Sequence, residues 1–419
     1  MSRTAASKWR SAADAVDAIA SGMTVGLGHV GAEPTALTAA LWERGRDLRD
    51  VTLLSGMMLT GYPFLKPETG DGFRLKTWFM PGTLLSAEAR EVEAEYLPLN
   101  WTQTARFLLS AGTDVALVQV SEADAAGYHS LGISTGQHRP MIRGSKLVIA
   151  EVNPAMPRTC GDSLIHESEL DILVRAEHPL IAFPHRDGDP IDRAIGLKAA
   201  ELIGDGTTIQ FGIGTIPGAM LDGLLALGRC NLRILSQISD PARALIEAGA
   251  CVADGPKAIV GEVIGSHALY EWARDNADLA MADALSTHAI AGFATRERFV
   301  SVNSALEIDL YGQVNSETLD GRQVGAIGGS IDFAIGAQLD GNLSIIALRS
   351  ATKRGEARIV PVLKPGPVTV PRSLVQVVVT EHGVADLRNR TMKERAQALA
   401  AIAHPDHRED LARHAAAIR

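Results

Sequence analysis

The chain has 419 residues, of which 46% are hydrophobic and 21% charged, and its formal charge is -9. At about 100 to 200 residues per domain this length predicts two domains, and the composition excludes a disordered chain. A net negative charge gives no general field for nucleic acid or anionic lipid, so neither is expected as a partner.

The amino-terminal stretch "MSRTAASKWRSAADAVDAIASG" interrupts its apolar residues with Asp14 and Asp17, unlike a signal peptide. No run approaches the roughly 18 apolar residues of a membrane span, so a cytoplasmic protein is expected. Cys160, Cys230 and Cys251 share no metal or redox spacing and are expected as free thiols. From Gly22, "GMTVGLGHVGAEPTALTAAL" reads as a strand, a glycine loop and a helix starting near Pro34. Its "GLGHVG", Gly26 to Gly31, fits the dinucleotide pattern G-x-G-x-x-G, a weak signal when alone. The segment also recurs as "GTTIQFGIGTIPGAMLDGLL" from Gly206, pairing Gly22 with Gly206, Gly28 with Gly212 and Pro34 with Pro217. The second copy lacks the third glycine, so a duplicated α/β unit explains the pattern better than a nucleotide site.

Short β-branched runs, "DVALVQV", "SKLVIAEV" and "LVQVVVT", alternate with helical spacing such as Ile191, Ile195, Ala199 and Leu202. That alternation predicts parallel sheets flanked by helices. "GISTG", Gly132 to Gly136, matches a serine nucleophile elbow, but "QHRPMIRG" after it shows no helical periodicity. A surface turn or strand end is the expectation, with a serine hydrolase acting through Ser134 as a minority alternative. The turn-rich "FPHRDGDP", Phe183 to Pro190, is the expected linker, dividing domains 1–187 and 188–419.

"NLRILSQISDPARALIEAG", Asn231 to Gly249, predicts a strand, a polar tip carrying Ser236 and Gln237, and a helix capped by Asp240 and ended near Gly249. Such tips are where open α/β sheets place ligands. In "NSALEIDLYGQVNSE", Glu307 and Asp309 share one strand face, an acid/base pair or ordinary salt-bridge formers. "GAIGGSIDF" offers Gly325, Gly328 and Gly329, either as backbone donors to a ligand or as a bulge. His404 and His407 are expected to face water on a terminal helix, and no metal site is expected.

Together these blocks resemble the acetyl-CoA hydrolase/transferase family, which includes 4-hydroxybutyrate CoA-transferase-like and butyryl-CoA:acetate CoA-transferase-like enzymes, within the family I CoA-transferases. The resemblance runs nearly end to end, through "DVALVQVSEADAAGYHSLGIS", "VNPAMPRTCGDSLIH", "NSALEIDLYGQVNSE", "GGSIDFAIGA" and "VVVTEHGVADLRNRT". It implies an α/β fold of two tandem related CoA-transferase domains, each an open, mostly parallel sheet flanked by helices. It also implies a coenzyme A thioester as substrate, no permanently bound cofactor, a small-molecule acceptor, and a homodimer or homotetramer. By resemblance Gly212, Ile213, Gly214 and Pro217 line the CoA side, Gly328 and Gly329 face the thioester oxygen, Gln313 borders the acyl pocket, and Lys353 meets a CoA phosphate.

In the family a glutamate in a motif like "HTEMFSDG" attacks the acyl-CoA and becomes a glutamyl-CoA thioester. The matching residues here are "LSQISDPA", with Gln237 at the glutamate and Leu235 at the histidine. A neutral amide is a poor nucleophile, which predicts transfer of CoA or of the acyl group without the glutamyl-CoA intermediate. The alternatives are an acyl-CoA hydrolase, a direct acyltransferase or cyclase of specialised metabolism, and a non-catalytic acyl-CoA-binding homologue. Relocation of the nucleophile to Glu262, Glu307 or Glu317 is a further one.

Overall fold

The structure, a computed structural model, describes residues 7–62, 64, 72–80, 94–183, 185–293 and 298–418. By contact the chain divides into two units, Met1–Phe183 with Val260–Leu285, and Pro184–Ile259 with Ser286–Arg419.

The sheet of the first unit runs Ala94–Tyr96, Phe73–Thr77, Val51–Ser55, Thr24–Leu27, Thr113–Val120, Ser145–Val152, Ile172–Arg175 and Trp9–Arg10. Every neighbouring pair is parallel. Parallel neighbours require crossover connections, and these put helices on both faces. The strand Thr113–Val120 shows the consequence of its two-residue period. Val115 and Leu117 join Leu37 and Leu41 of the helix Thr35–Glu43. Ala116, Val118 and Val120 join Leu108 and Met141, from the helices Trp101–Ser110 and His138–Gly144.

In the second unit the order Arg233–Ile238, Thr208–Phe211, Phe299–Ser304, Leu343–Ala347, Val377–Thr380 and Gly383–Asp386 repeats that from Val51–Ser55 to Trp9–Arg10. The final strand departs, being antiparallel to its neighbour where Trp9–Arg10 is parallel. The sequence repeat falls on matching places. Gly28 donates its N–H to Leu117 O at 2.9 Å, and Gly212 to Val302 O at 3.3 Å, each reaching the adjacent parallel strand. Pro34 is the cap of its helix, whereas Pro217 is the third residue of Thr215–Ala226. Both positions fall where the missing proline N–H costs no helical bond.

Three local expectations are corrected. The segment after "GISTG" is helical, His138–Gly144, with Pro140 in its first turn, and Ser134 is buried rather than on a surface turn. A first-turn proline does not interrupt a helix, which is why its presence misled. Ser239, not Asp240, occupies the cap of Asp240–Glu247, while Gly249 follows its end with φ 75°. On Pro190–Glu201 the buried stripe is Asp192, Ile195, Gly196, Ala199 and Ala200, with Ile191 exposed. The stripe is shifted because Asp192 turns inward to accept from Arg349 Nε at 2.9 Å.

Gly196 lets this helix lie against Thr215–Ala226, since a Cβ there would stand 2.6 Å from Ala219 C and Met220 N. Those atoms are backbone and cannot swing aside. Gly196→Val is therefore expected to destabilise the protein by about 2 kcal/mol or more, read as a lowered urea midpoint. An unchanged midpoint contradicts this packing.

Candidate active site

The strand Arg233–Ile238 ends one residue before a helix, and its tip is held in an unusual backbone conformation. Ser236 has φ 82°, a left-handed value that a side-chain-bearing residue adopts at a cost of order 1–3 kcal/mol. On one side of it, Leu235 is buried among Phe293, Phe299 and Phe333. On the other, Gln237 is partly buried, and its amide has no hydrogen-bond partner among the described residues.

The Ser236 hydroxyl lies 3.4 Å from His288 Nε2, and His288 Nδ1 lies 2.8 Å from Thr287 Oγ1. In the tautomer that carries its proton on Nδ1, that nitrogen donates to Thr287 and Nε2 accepts from the Ser236 hydroxyl. The imidazole packs on Phe333 with ring centroids 4.6 Å apart. Burial pushes its pKa down to about 3, so the ring is neutral across the physiological range. Gly329 closes the group. A Cβ on it would stand 2.9 Å from His288 Nε2 and 2.5 Å from Phe333 Cε2, so only glycine lets this backbone approach. Among the described residues neither Gly328 nor Gly329 has an acceptor for its N–H.

The other residues singled out from sequence are spread through the second unit. Gly212, Ile213 and Gly214 form the loop after Thr208–Phe211, with Ile213 exposed and Gly214 at φ 137°, and Pro217 is buried in the following helix. Gln313 is committed to a turn, its Nε2 donating to Asp309 Oδ2 at 2.8 Å. Lys353 is exposed in the turn between Thr352 and Glu356. Glu317 is buried and accepts from Thr369 Oγ1 at 2.8 Å, and Glu307 accepts a long bond from Asn315 Nδ2 at 3.5 Å. Asp309 accepts from the Tyr311 and Gln313 backbone, which makes it a turn former.

The first unit gathers three segments that the sequence presented separately. His29 from "GLGHVG", Ser134 from "GISTG" and Glu262 from "AIVGEVIGS" meet in one buried cluster. His29 Nε2 is 3.9 Å from Glu262 Oε1, the His29 and His138 ring centroids are 4.8 Å apart, and Ser134 pairs with Glu262 through a backbone bridge. Gly136 makes room, since a Cβ there would meet Glu262 Oε1 at 2.9 Å. His29 Nε2, Ser134 Oγ and both Glu262 oxygens complete no hydrogen bond. Burial pushes Glu262 up to about 8 and lowers His29 and His138, the latter to about 4. A buried carboxyl without a charged partner is held as the neutral acid. The glycines of "GLGHVG" are filled by protein: a Cβ on Gly31 would meet Tyr270 Oη at 2.7 Å and Ile181 O at 2.8 Å, leaving no berth for a pyrophosphate.

His288 escaped the sequence reading altogether, since its neighbours carry no motif. His29 stands inside "GLGHVG", where the glycine spacing is the stronger sequence signal.

Family models of the acetyl-CoA hydrolase/transferase N-terminal and C-terminal domains match residues 3–184 and 265–415. The chain is 37% identical over 412 residues to a 4-hydroxybutyrate coenzyme A transferase of Clostridium kluyveri, covering 95% of this chain and 94% of that protein. It is 31% identical to a butyryl-CoA:acetate CoA-transferase of Anaerostipes caccae, over 96% of this chain and 95% of the other. Among solved structures it is similar to RipA from Yersinia pestis, with a TM-score of 0.90 at 30% identity and 97% of each chain covered. It also matches a 4-hydroxybutyrate CoA-transferase from Porphyromonas gingivalis, with a TM-score of 0.81 at 31% identity and 96% of each chain covered.

Two outcomes follow from this geometry. Ser236→Gly, which removes the left-handed strain, is expected to raise stability by about 1 kcal/mol; a lowered urea midpoint contradicts it. Glu262 has a folded pKa of about 8 against an ordinary value of 4.5. Between those limits the folded chain keeps a proton that the unfolded chain releases, so stability falls as pH rises through the window. Glu262→Gln is expected to match the natural chain near the lower limit and to exceed it by up to about 4 kcal/mol at the upper one. Thermal melts at both ends test this, and a margin independent of pH contradicts it.

Proposed function

Because the chain belongs to the acetyl-CoA hydrolase/transferase family and is a CoA-transferase-like enzyme acting on acyl-CoA, we propose that it transfers CoA or the acyl group with no glutamyl-CoA intermediate. The observation that carries this reading is Gln237, an uncommitted amide at the strand-to-helix tip where the family resemblance expects the nucleophilic glutamate.

A glutamate with a pKa of about 4.3 is ionised at neutral pH and attacks a thioester, whereas a primary amide is neutral and has no comparable nucleophilicity. The amide donates and accepts hydrogen bonds, so Gln237 holds the thioester carbonyl or orients an acceptor. The backbone N–H groups of Gly328 and Gly329 supply the oxyanion contacts. Gly212, Ile213, Gly214 and Pro217 take the CoA side, since they follow the carboxyl end of a parallel strand. Lys353 serves a CoA phosphate, and Gln313 borders the acyl pocket.

Glu262 supports the same reading from the opposite direction, because a carboxyl held as the neutral acid at pH 7 is a poor replacement nucleophile. The acceptor is a small molecule. Relatives named as acetyl-CoA hydrolases, such as that of Eremothecium gossypii at 25% identity over 70% of this chain, favour water as a second choice of acceptor, oriented by Gln237. Among the described residues no helix is long and apolar enough to cross a membrane.

Intact-protein mass spectrometry after mixing with butyryl-CoA or acetyl-CoA tests the proposal. The natural chain is expected to gain no CoA-sized adduct, and Gln237→Glu to gain one at the new carboxylate. A CoA adduct on a glutamate of the natural chain overturns it. Gln237→Ala is expected to lower acyl-CoA turnover about 100-fold, and turnover within twofold of the natural chain contradicts a role for the amide.

A further inference from the structure

We infer that Ser236 is a nucleophile, with His288 as its base, and that the chain carries the acyl group as a serine ester during acyl transfer. The inference rests on the proposed reading above and deepens it, because it names the group that acts in place of a carboxylate.

Four observations meet at this point. Ser236, buried two residues before the end of the strand Arg233–Ile238, has φ 82°, a strained backbone like that of the strand-to-helix elbow that carries a nucleophilic serine in hydrolases. Its Oγ lies 3.4 Å from His288 Nε2. That contact is long, and burial makes His288 a weaker base than a free imidazole, so proton transfer requires bound substrate to shorten the contact and to stabilise the charge that develops on the ring. His288 is oriented from its other side by Thr287 Oγ1 at 2.8 Å and by the Phe333 ring. Thr287 is thereby a positioning residue. Gly329, in the loop assigned to the thioester oxygen, reaches the same imidazole nitrogen with no side chain between. Nucleophile, base, orienting group and backbone donors are thus collected within one unit.

The chemistry balances. Ser236 Oγ attacks the thioester carbonyl as its proton passes to His288 Nε2, the C–S bond breaks, and the proton leaves with the sulfur as free CoA thiol. In the second half an alcohol, amine or water gives its proton to the same nitrogen and attacks the ester carbonyl. Ser236 Oγ takes that proton back as its bond to the acyl carbon breaks. A carboxylate acceptor cannot obtain CoA this way, since the enzyme never holds CoA. The substrate class is therefore an acyl-CoA donor with a hydroxyl, amino or water acceptor.

The experiment uses a fluorophosphonate, which reports an activated serine without knowledge of the acyl group. Its phosphorus bonds Ser236 Oγ as fluoride leaves. Labelling of the full-length protein, located by peptide mass mapping, is expected at Ser236. It should vanish in Ser236→Ala and in Ser236→Gly, the latter suited to the local backbone and so certain to test the hydroxyl rather than the fold. It should slow about 100-fold in His288→Asn, read on protein that still melts cooperatively. Butyryl-CoA or acetyl-CoA turnover is measured on the same samples. Absence of label at Ser236, or turnover by Ser236→Gly within twofold of the natural chain, overturns the serine inference while leaving the family reading in place. Label at Ser236 with no consumption of either thioester instead removes the acyl-CoA reading and supports a serine of other specificity.

Discussion

The left-handed backbone at Ser236 is the constraint on which the second unit's chemistry depends. A regular strand would continue its alternation to the helix, whereas one residue at φ 82° breaks that alternation between Leu235 and Gln237. The strain is tolerated because the neighbours on either side are fixed independently. Leu235 is packed among Phe293, Phe299 and Phe333, and the helix from Asp240 starts within a few residues. The same aromatic cluster positions the base, since the His288 ring lies on Phe333 and Gly329 fits against both. Core packing and site geometry are thus a single arrangement, and the cost of the strained tip is met by burial of large apolar side chains.

Buried carboxyls in the first unit show how environment decides whether an acid can act. Glu33 is fully buried, but it accepts from Leu59 N, Thr60 N and Thr60 Oγ1, and these bonds limit its rise to about 7. Glu262 lacks such donors and rises further, to about 8. Glu151, also buried, accepts from Ala36 N and Leu37 N at the start of a helix and from His178 Nε2 at 2.5 Å. For Glu33 and Glu262 burial is the larger cause of the rise, and the Leu59 and Thr60 donors act against it at Glu33. In the cluster of His29, Ser134 and Glu262, burial keeps the proton on Glu262 and keeps His29 neutral, and a carboxyl that retains its proton is disfavoured as a nucleophile at neutral pH.

The architecture was legible in the chain because duplication wrote it twice. Gly28 and Gly212 sit after matching strands, and the alternation of β-branched runs with helical spacing follows from parallel pairing that requires crossovers. The tip at Ser236 and Gln237 was legible for a similar reason, being flanked by an apolar strand and a proline-started helix. Its partner was not. His288 lies 52 residues further along the chain and reaches Ser236 only through folding. The burial of Ser134 was hidden as well, because it depends on Glu262 and Gly261, which arrive from a distant segment of the same unit. Where a local pattern misled, a tertiary contact had displaced it, as the Arg349 ion pair does on the helix Pro190–Glu201.

A carboxyl nucleophile and a hydroxyl nucleophile keep different halves of the substrate. A glutamate retains CoA and releases the free acid, so labelled acid is returned into acyl-CoA. A serine retains the acyl group and releases CoA, so labelled CoA is returned instead. The most direct measurement is isotope exchange without any added acceptor, using butyryl-CoA with either labelled free CoA or labelled butyrate. Incorporation of CoA label into butyryl-CoA, with none from butyrate, is the result expected of this chain. Incorporation of butyrate label without CoA label would contradict the serine ester and restore a carboxylate at the centre of the reaction.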